Sequence, residues 1–192
     1  MTTQSQKSKN KRKIFALIVG VAFASSLLAS AIGTLATYPT AAHRDAAKEL
    51  SAYSDKAFSN GGTGTDIFET QEYKELNESP ESKYSLYGTF ASAAFGLAVT
   101  VVTIGYIYAY LRRYRIASQP VAMTTFLYSA GAVLSTIATI YITNYYLGVS
   151  PPAALSILTS ALFMLTFGTL VNYLIVRIIH WRYNRKYGFV EE

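Results

Sequence analysis

Two histidines, His43 and His180, and eleven Asp and Glu residues are the groups this 192-residue chain offers for acid–base or metal chemistry. Asp45 and Glu49 stand four apart with His43 close by, so a helix would place both carboxylates on one face. A metal or an acid–base pair could be held there. The interspersed Arg44 and Lys48 instead point to a solvated charged face. His180 lies far along the chain in another apolar run and cannot complete that cluster if the runs cross a membrane. Cysteine is absent, which excludes disulfides, CxxC redox chemistry, iron–sulfur clusters and thiolate zinc sites. The expectation is a non-enzymatic protein with no cofactor and no catalytic residue.

Small and hydroxylated residues do recur at helical spacing. Gly88, Ser92, Gly96 and Thr100 form one stripe along an uncharged run, Leu86 to Leu111. Ala22, Ser26, Ser30 and Thr34 form another, with Ser25, Ala29, Gly33 and Thr37 beside it. Ser135, Thr139 and Thr143 share a row next to Asn144. Ser156, Ser160, Gly168 and Asn172 share one with Met164 between. Gly88, Ser92, Gly96, Thr100, Ser26, Ser30 and Gly168 are assigned to helix packing or association, because small side chains let backbones approach. Ser135, Thr139, Ser160 and Asn172 could line a polar path for a small solute. Packing is the preferred reading, since interhelical hydrogen bonds average only about 0.6 kcal/mol and are common without function. Asn172 stands out because an amide inside an apolar run needs a partner.

Gly61-Gly62-Thr63-Gly64-Thr65-Asp66-Ile67-Phe68-Glu69 resembles one copy of the calcium-binding nonapeptide of the RTX repeat proteins, with Phe68 as its large apolar residue. The resemblance implies calcium, but in that family ions sit between successive turns built from tandem copies. One copy is present here. A Gly-rich break followed by a helix cap at Asp66, with Glu69 closing a capping box, accounts for the same letters.

These residues must be positioned by four apolar runs, each longer than the roughly 20 residues needed to cross a bilayer. The expected fold is an all-α integral membrane protein, a bundle of four transmembrane helices with a helical outer loop between the first and second spans. Residues 1–13 form a basic, disordered N-terminal segment and 14–37 the first span, taken as a retained signal-anchor. Cleavage after Ala29-Ser30-Ala31 is the alternative. Residues 38–85 form an acidic loop, too short to hold a core alone, with one helix after Pro39-Thr40 and a second reaching Leu76. The second span covers 86–111 and is placed at the centre of the bundle. A basic turn, 112–120, a third span, 121–147, and a tight turn, 148–152, follow. The fourth span covers 153–180 and the tail 181–192.

Charge gives the orientation. Outside the 38–85 loop the only acids are Glu191 and Glu192, while Lys11-Arg12-Lys13, Arg112-Arg113, Arg115, Arg182, Arg185 and Lys186 flank apolar runs. Four spans with both termini cytoplasmic put every basic cluster on one side. The net charge of +6 therefore speaks for a membrane surface and not for nucleic acid. Tyr106, Tyr108, Tyr110, Tyr114, Tyr173, Trp181 and Tyr183 are expected at the inner headgroup level, and Tyr38, Tyr84, Tyr87, Tyr145 and Tyr146 at the outer. The layout resembles that of tetraspan proteins such as claudins in topology, without their Trp and Cys landmarks in the loop. The functional expectation is protein–protein association in the cell membrane, with another membrane protein or a second copy, as an accessory subunit, scaffold or surface adaptor. The alternative is a channel or transporter component for a small solute.

Overall fold

The computed structural model describes residues 3–113, 120–149 and 154–188, with side chains from Lys11 onward except that of Ser156. The Tyr114 and Arg115 turn, Pro151-Pro152, Ser156 as a row member and Glu191-Glu192 lie outside the described residues. The described chain is helical without strands: α1 (Thr3–Thr37), α2 (Ala41–Ser59), α3 (Gly64–Glu69), α4 (Gln71–Glu78), α5 (Pro80–Arg113), α6 (Val121–Leu147), α7 (Ala154–Phe163) and α8 (Thr169–Tyr187). A π turn, Met164–Gly168, joins α7 to α8. Four stretches are long and apolar enough to cross a membrane: Lys11–Thr37, Pro80–Arg113, Val121–Leu147 and Ile157–Tyr187.

Several boundaries differ from expectation. Helix α1 begins at Thr3, because Gln, Ser, Lys and Arg before Ile14 are adequate helix formers with no breaker among them. Helix α5 starts at Pro80, whose fixed φ and missing N–H suit a first helical position. The capping box is Thr63 with Asp66, three residues earlier than Asp66 with Glu69. Thr63 Oγ1 accepts from the Asp66 N–H at 3.4 Å, and Asp66 Oδ2 accepts from the Thr63 N–H at 3.3 Å. Gly61, at φ 81°, makes the turn before it. Thr70 then splits the second loop helix in two, capping α4 through its hydroxyl.

Helix α1, not the 86–111 segment, lies between its neighbours, packing along both α5 and α6. The cause is small residues on two of its faces. Toward α6, Val19, Ala22 and Phe23 receive Gly131, where a Cβ would lie 2.6 Å from Val19 O and 2.8 Å from Ala22 Cβ. Toward α5, Gly33 and Thr37 receive Ser92 and Gly88. A Cβ on Gly88 would come within 2.9 Å of Thr37 Cα, and one on Gly33 within 2.9 Å of Ser92 Cβ.

At the end carrying the basic residues, Ile14, Ile18, Ile104, Ile107, Leu111, Leu127 and Val176 form a closed apolar core. Tyr108, expected at a headgroup belt, is fully buried there, with ring centroids 5.6 Å from His180 and 5.7 Å from Tyr183. Tyr183 Oη donates to Gly105 O at 3.4 Å, which ties α8 to α5. Among the described residues, α5 packs on α8 but makes no comparable contact with α7 or the π turn. The fourth long stretch therefore leans away from α5 at the opposite end, where the loop sits.

The 38–85 segment lies on that loop end of the long helices. Tyr146 anchors it: its Oη donates to Tyr38 O at 3.0 Å and accepts from Arg44 Nη1 at 3.2 Å. Tyr146→Phe removes both bonds and is expected to loosen α2 by about 1–2 kcal/mol. Amide exchange across residues 41–59 should accelerate roughly five- to thirtyfold. Exchange in the Ile104–Leu111 region should stay unchanged.

Candidate functional site

A cleft of about 590 Å³ opens where the fourth stretch parts from α5. Helix α1 contributes Ser26, Ser30, Gly33, Thr34 and Thr37 to it, and α5 contributes Ser92, Gly96 and Thr100. Its floor carries Tyr128, Ala132 and Thr139 from α6 with Gly168, Val171 and Asn172 from the fourth stretch. Its lining contains no Asp, Glu, Lys, Arg or His. From Ser26 to Tyr38 it follows α1 for about 18 Å, and the Ile18–Val176 core closes it below. Burial of Tyr38 at the upper end pushes its phenol above the ordinary tyrosine value, so that group stays neutral.

The structure divides the small-residue stripe of α5. Gly88 and Ser92 press on α1, where Ser92 Oγ donates toward Gly88 O at 2.7 Å and Gly33 O at 3.2 Å. Gly96 has no atom within 4 Å of the position its Cβ would take, and it faces the cleft. Thr100 turns its hydroxyl back to Gly96 O at 3.0 Å. Ser26, Ser30 and Gly168 line the cleft instead of a tight crossing. A Cβ on Gly168 would meet only the flexible end of Met164, with Sδ at 3.4 Å and Cε at 3.8 Å.

The residues assigned to a polar path separate as well. Thr139 and Asn172 reach the cleft, whereas Ser135 is buried outside it and Ser160 is half-buried away from it. The π turn explains the break between Ser160 and Gly168. It adds one residue to a turn and so rotates the following face by about 100° relative to an uninterrupted helix. Asn172 donates to Ser129 Oγ at 3.2 Å, and the rest of its amide has no hydrogen-bond partner among the described residues. Neither do Tyr128 Oη, Thr139 Oγ1 and Ser135 Oγ. Higher on the same helices, Thr34 and Thr143 hydroxyls meet at 3.0 Å and join α1 to α6.

A second feature lies on the loop. Asp45, Glu49, Glu72, Glu75 and Glu81 line an open groove of about 420 Å³ between α2, α4 and the start of α5. Asp45 pairs with Lys48 at 3.3 Å, and that is the only ion pair among the described residues. His43 is engaged apart from them, 2.7 Å from Thr40 Oγ1 and edge-on to Tyr84. Asp66, the acid of the RTX-like nonapeptide, is used by the Thr63 cap.

Three elements escaped sequence reasoning. Gly131 stands four residues before Ser135 and so extends the row Ser135, Thr139 and Thr143, a spacing that was not carried back to it. Tyr128 looks like any other apolar-run aromatic until its hydroxyl is found buried. The π turn has no sequence signal beyond Thr166, which bonds Leu162 O at 2.9 Å and Phe163 O at 3.1 Å. Comparison with protein-family models, curated proteins and solved structures finds no match.

Proposed function

We propose that this chain is a multi-pass protein of the cell membrane, with both termini cytoplasmic, that acts by binding another membrane protein or a second copy of itself. Accessory subunit, scaffold and surface adaptor are roles of this kind. The observation carrying the reading is the acidic groove. Five carboxylates stand on α2, α4 and α5, of which Asp45 is ion-paired to Lys48, held in place through Tyr146 and the packing of α2 on α5 and α6. Such a surface suits the basic segment of a partner, and opposite potentials steer association. Catalysis has less to work with, because the cleft lining holds no Asp, Glu, Lys, Arg or His, and His43 is turned away to Thr40 and Tyr84.

Charge reversal tests the groove. Wild-type protein should form a larger assembly in mild detergent at low salt, read by mass photometry, and Glu72→Lys with Glu75→Lys should abolish it. Raised salt should weaken the wild-type assembly in the same direction. An assembly indifferent to both would refute the reading.

The topology has a clean test because the chain contains no cysteine. A single cysteine at Asn60 should react with an impermeant maleimide in intact cells. One at Ser5 or Asn184 should react only after permeabilisation. The reverse pattern would invert the orientation argued from the basic flanks.

A second reading, passage of a small neutral solute, is favoured by the convergence of Ser, Thr and Asn on the cleft. Tyr38 and Thr89 also border both the cleft and a cavity of about 490 Å³ beneath the loop. The apolar core at the basic end opposes it. Proteoliposomes that swell in glycerol no faster than protein-free vesicles would remove it.

A further inference from the structure

At the basic end of the molecule two helices stop side by side. The last turn of α5 holds Arg112 and Arg113, and that of α8 holds Arg185 and Lys186. A ladder of tyrosines sets their spacing. Tyr108 is buried in the core with its ring centroid 5.7 Å from that of Tyr183, and Tyr183 lies 5.4 Å from Tyr187. Tyr183 also donates to Gly105 O, so Tyr187 is carried to the end of α5. There the Arg112 guanidinium lies 3.5 Å from the Tyr187 ring centroid, and Lys186 Nζ lies 5.3 Å from the same centroid. One ring thus gathers a cation from each helix.

The described residues offer these cations little to neutralise them. Every Asp and Glu among them lies between Asp45 and Glu81, on the loop at the opposite end. Basic residues in a last helical turn do answer the helix dipole, but each C-terminus carries only about half a negative charge. Two ends supply about one charge against four basic side chains. The ring faces of Tyr187 and of Trp181, the latter 5.5 Å from Arg185, attract cations without neutralising them. Among the described residues, positive charge is left over at the seam.

The stacking also decides what shape of anion fits. A contact as short as that of Arg112 on Tyr187 uses a flat face of the guanidinium and leaves its N–H edge open. A planar fork held in this way matches the oxygens of a phosphate, and Lys186 adds a point charge beside it. Basic pockets between membrane helices bind lipid head groups in this manner. Trp181 and Ile178 of α8 are exposed just below, where the chains of such a lipid would lie.

We propose that Arg112, Lys186 and Tyr187 form a phosphate-binding site at the α5–α8 seam, filled by the head group of an acidic phospholipid or by a free phosphate compound. The site stands apart from the acidic groove and does not depend on it. Only the lipid source needs the membrane-spanning reading, which the cysteine labelling above tests separately.

The full chain, purified in neutral detergent, is titrated with phosphatidylglycerol, with phosphatidylcholine and, in a parallel arm, with inorganic pyrophosphate. Native mass spectrometry reads the first molecule bound. Phosphatidylglycerol should bind about tenfold tighter than phosphatidylcholine, or more. Arg112→Gln with Lys186→Gln, both exposed positions, should bring that ratio to about one. Lys11→Gln with Arg12→Gln removes the same charge from α1 at the same end and should leave the ratio largely unchanged. Tyr187→Leu keeps every charge, and loss of the stack should lower the ratio about two- to fivefold. Pyrophosphate bound with the same dependence on Arg112 and Lys186, without preference between the lipids, would assign the site to a soluble phosphate. Binding of neither phosphatidylglycerol nor pyrophosphate above the phosphatidylcholine level, equal losses in the two double variants, or a wild-type response in Tyr187→Leu would overturn the proposal.

Discussion

Gly131→Leu should abolish the folded state, and even Gly131→Ala should cost about 1–3 kcal/mol of stability. The new Cβ would lie 2.6 Å from Val19 O and 3.1 Å from Phe23 N, so the atoms that must yield belong to the backbone of α1. No rotamer change relieves that contact. The α1–α6 crossing has to widen, and the Ile18–Leu127 core beside it loses contact along its length. The same exchange at Gly96 should have the opposite sign. Nothing lies within 4 Å of that Cβ, and alanine is about 1 kcal/mol better than glycine in a helix interior. Thermal unfolding in detergent, followed through Trp181, the only tryptophan, distinguishes the two. Equal tolerance at both positions would contradict the crossing.

Gly33→Ala should also destabilise by about 1–3 kcal/mol, but this loss should be reversible by a second substitution. The obstructing atoms are Ser92 Cβ at 2.9 Å and Ser92 Oγ at 3.0 Å, both side-chain atoms, with Ser92 Cα next at 3.9 Å. Ser92→Gly removes them. Helix propensity lost at 92 is offset by that gained at 33, leaving mainly the interhelical bond from Ser92 Oγ to Gly33 O, about 0.6 kcal/mol. A double-mutant cycle should therefore show coupling of at least about 1 kcal/mol. Additive losses would mean that α1 and α5 do not meet at this pair. Gly131 permits no such rescue, because removing Ala22 Cβ leaves the Val19 carbonyl in place.

Which residues are small, uncharged or hydroxylated was legible at once, and so were four apolar runs and the break at Asn60 to Gly64. Those features depend on composition and local spacing. Partner choice was not legible in the same way. The row Gly88, Ser92, Gly96 and Thr100 is regular in sequence, yet α1 meets only its first half, while Gly96 and Thr100 face the cleft that opens where the fourth stretch parts from α5. The row Ser156, Ser160, Gly168 and Asn172 is not one face at all, because a π turn rotates the chain between Ser160 and Gly168. Tyr108 and Tyr146 have the same side chain, each near the C-terminal end of its helix, one at the end carrying the basic residues and the other at the loop end. One is buried against His180 and the other anchors Arg44 and Tyr38.

By itself, then, the sequence determined that this chain makes long apolar helices joined by an acidic helical loop, because length, charge segregation and breakers act locally. Only the tertiary structure decided that α1 lies between α5 and α6, that Gly96 faces a cleft while Gly131 closes a crossing, and that Tyr128 and Asn172 meet on one floor. Those outcomes turn on how far apart two backbones stand. That distance is set jointly by residues more than a hundred positions apart, such as Val19 and Gly131, and by no stretch of chain read alone.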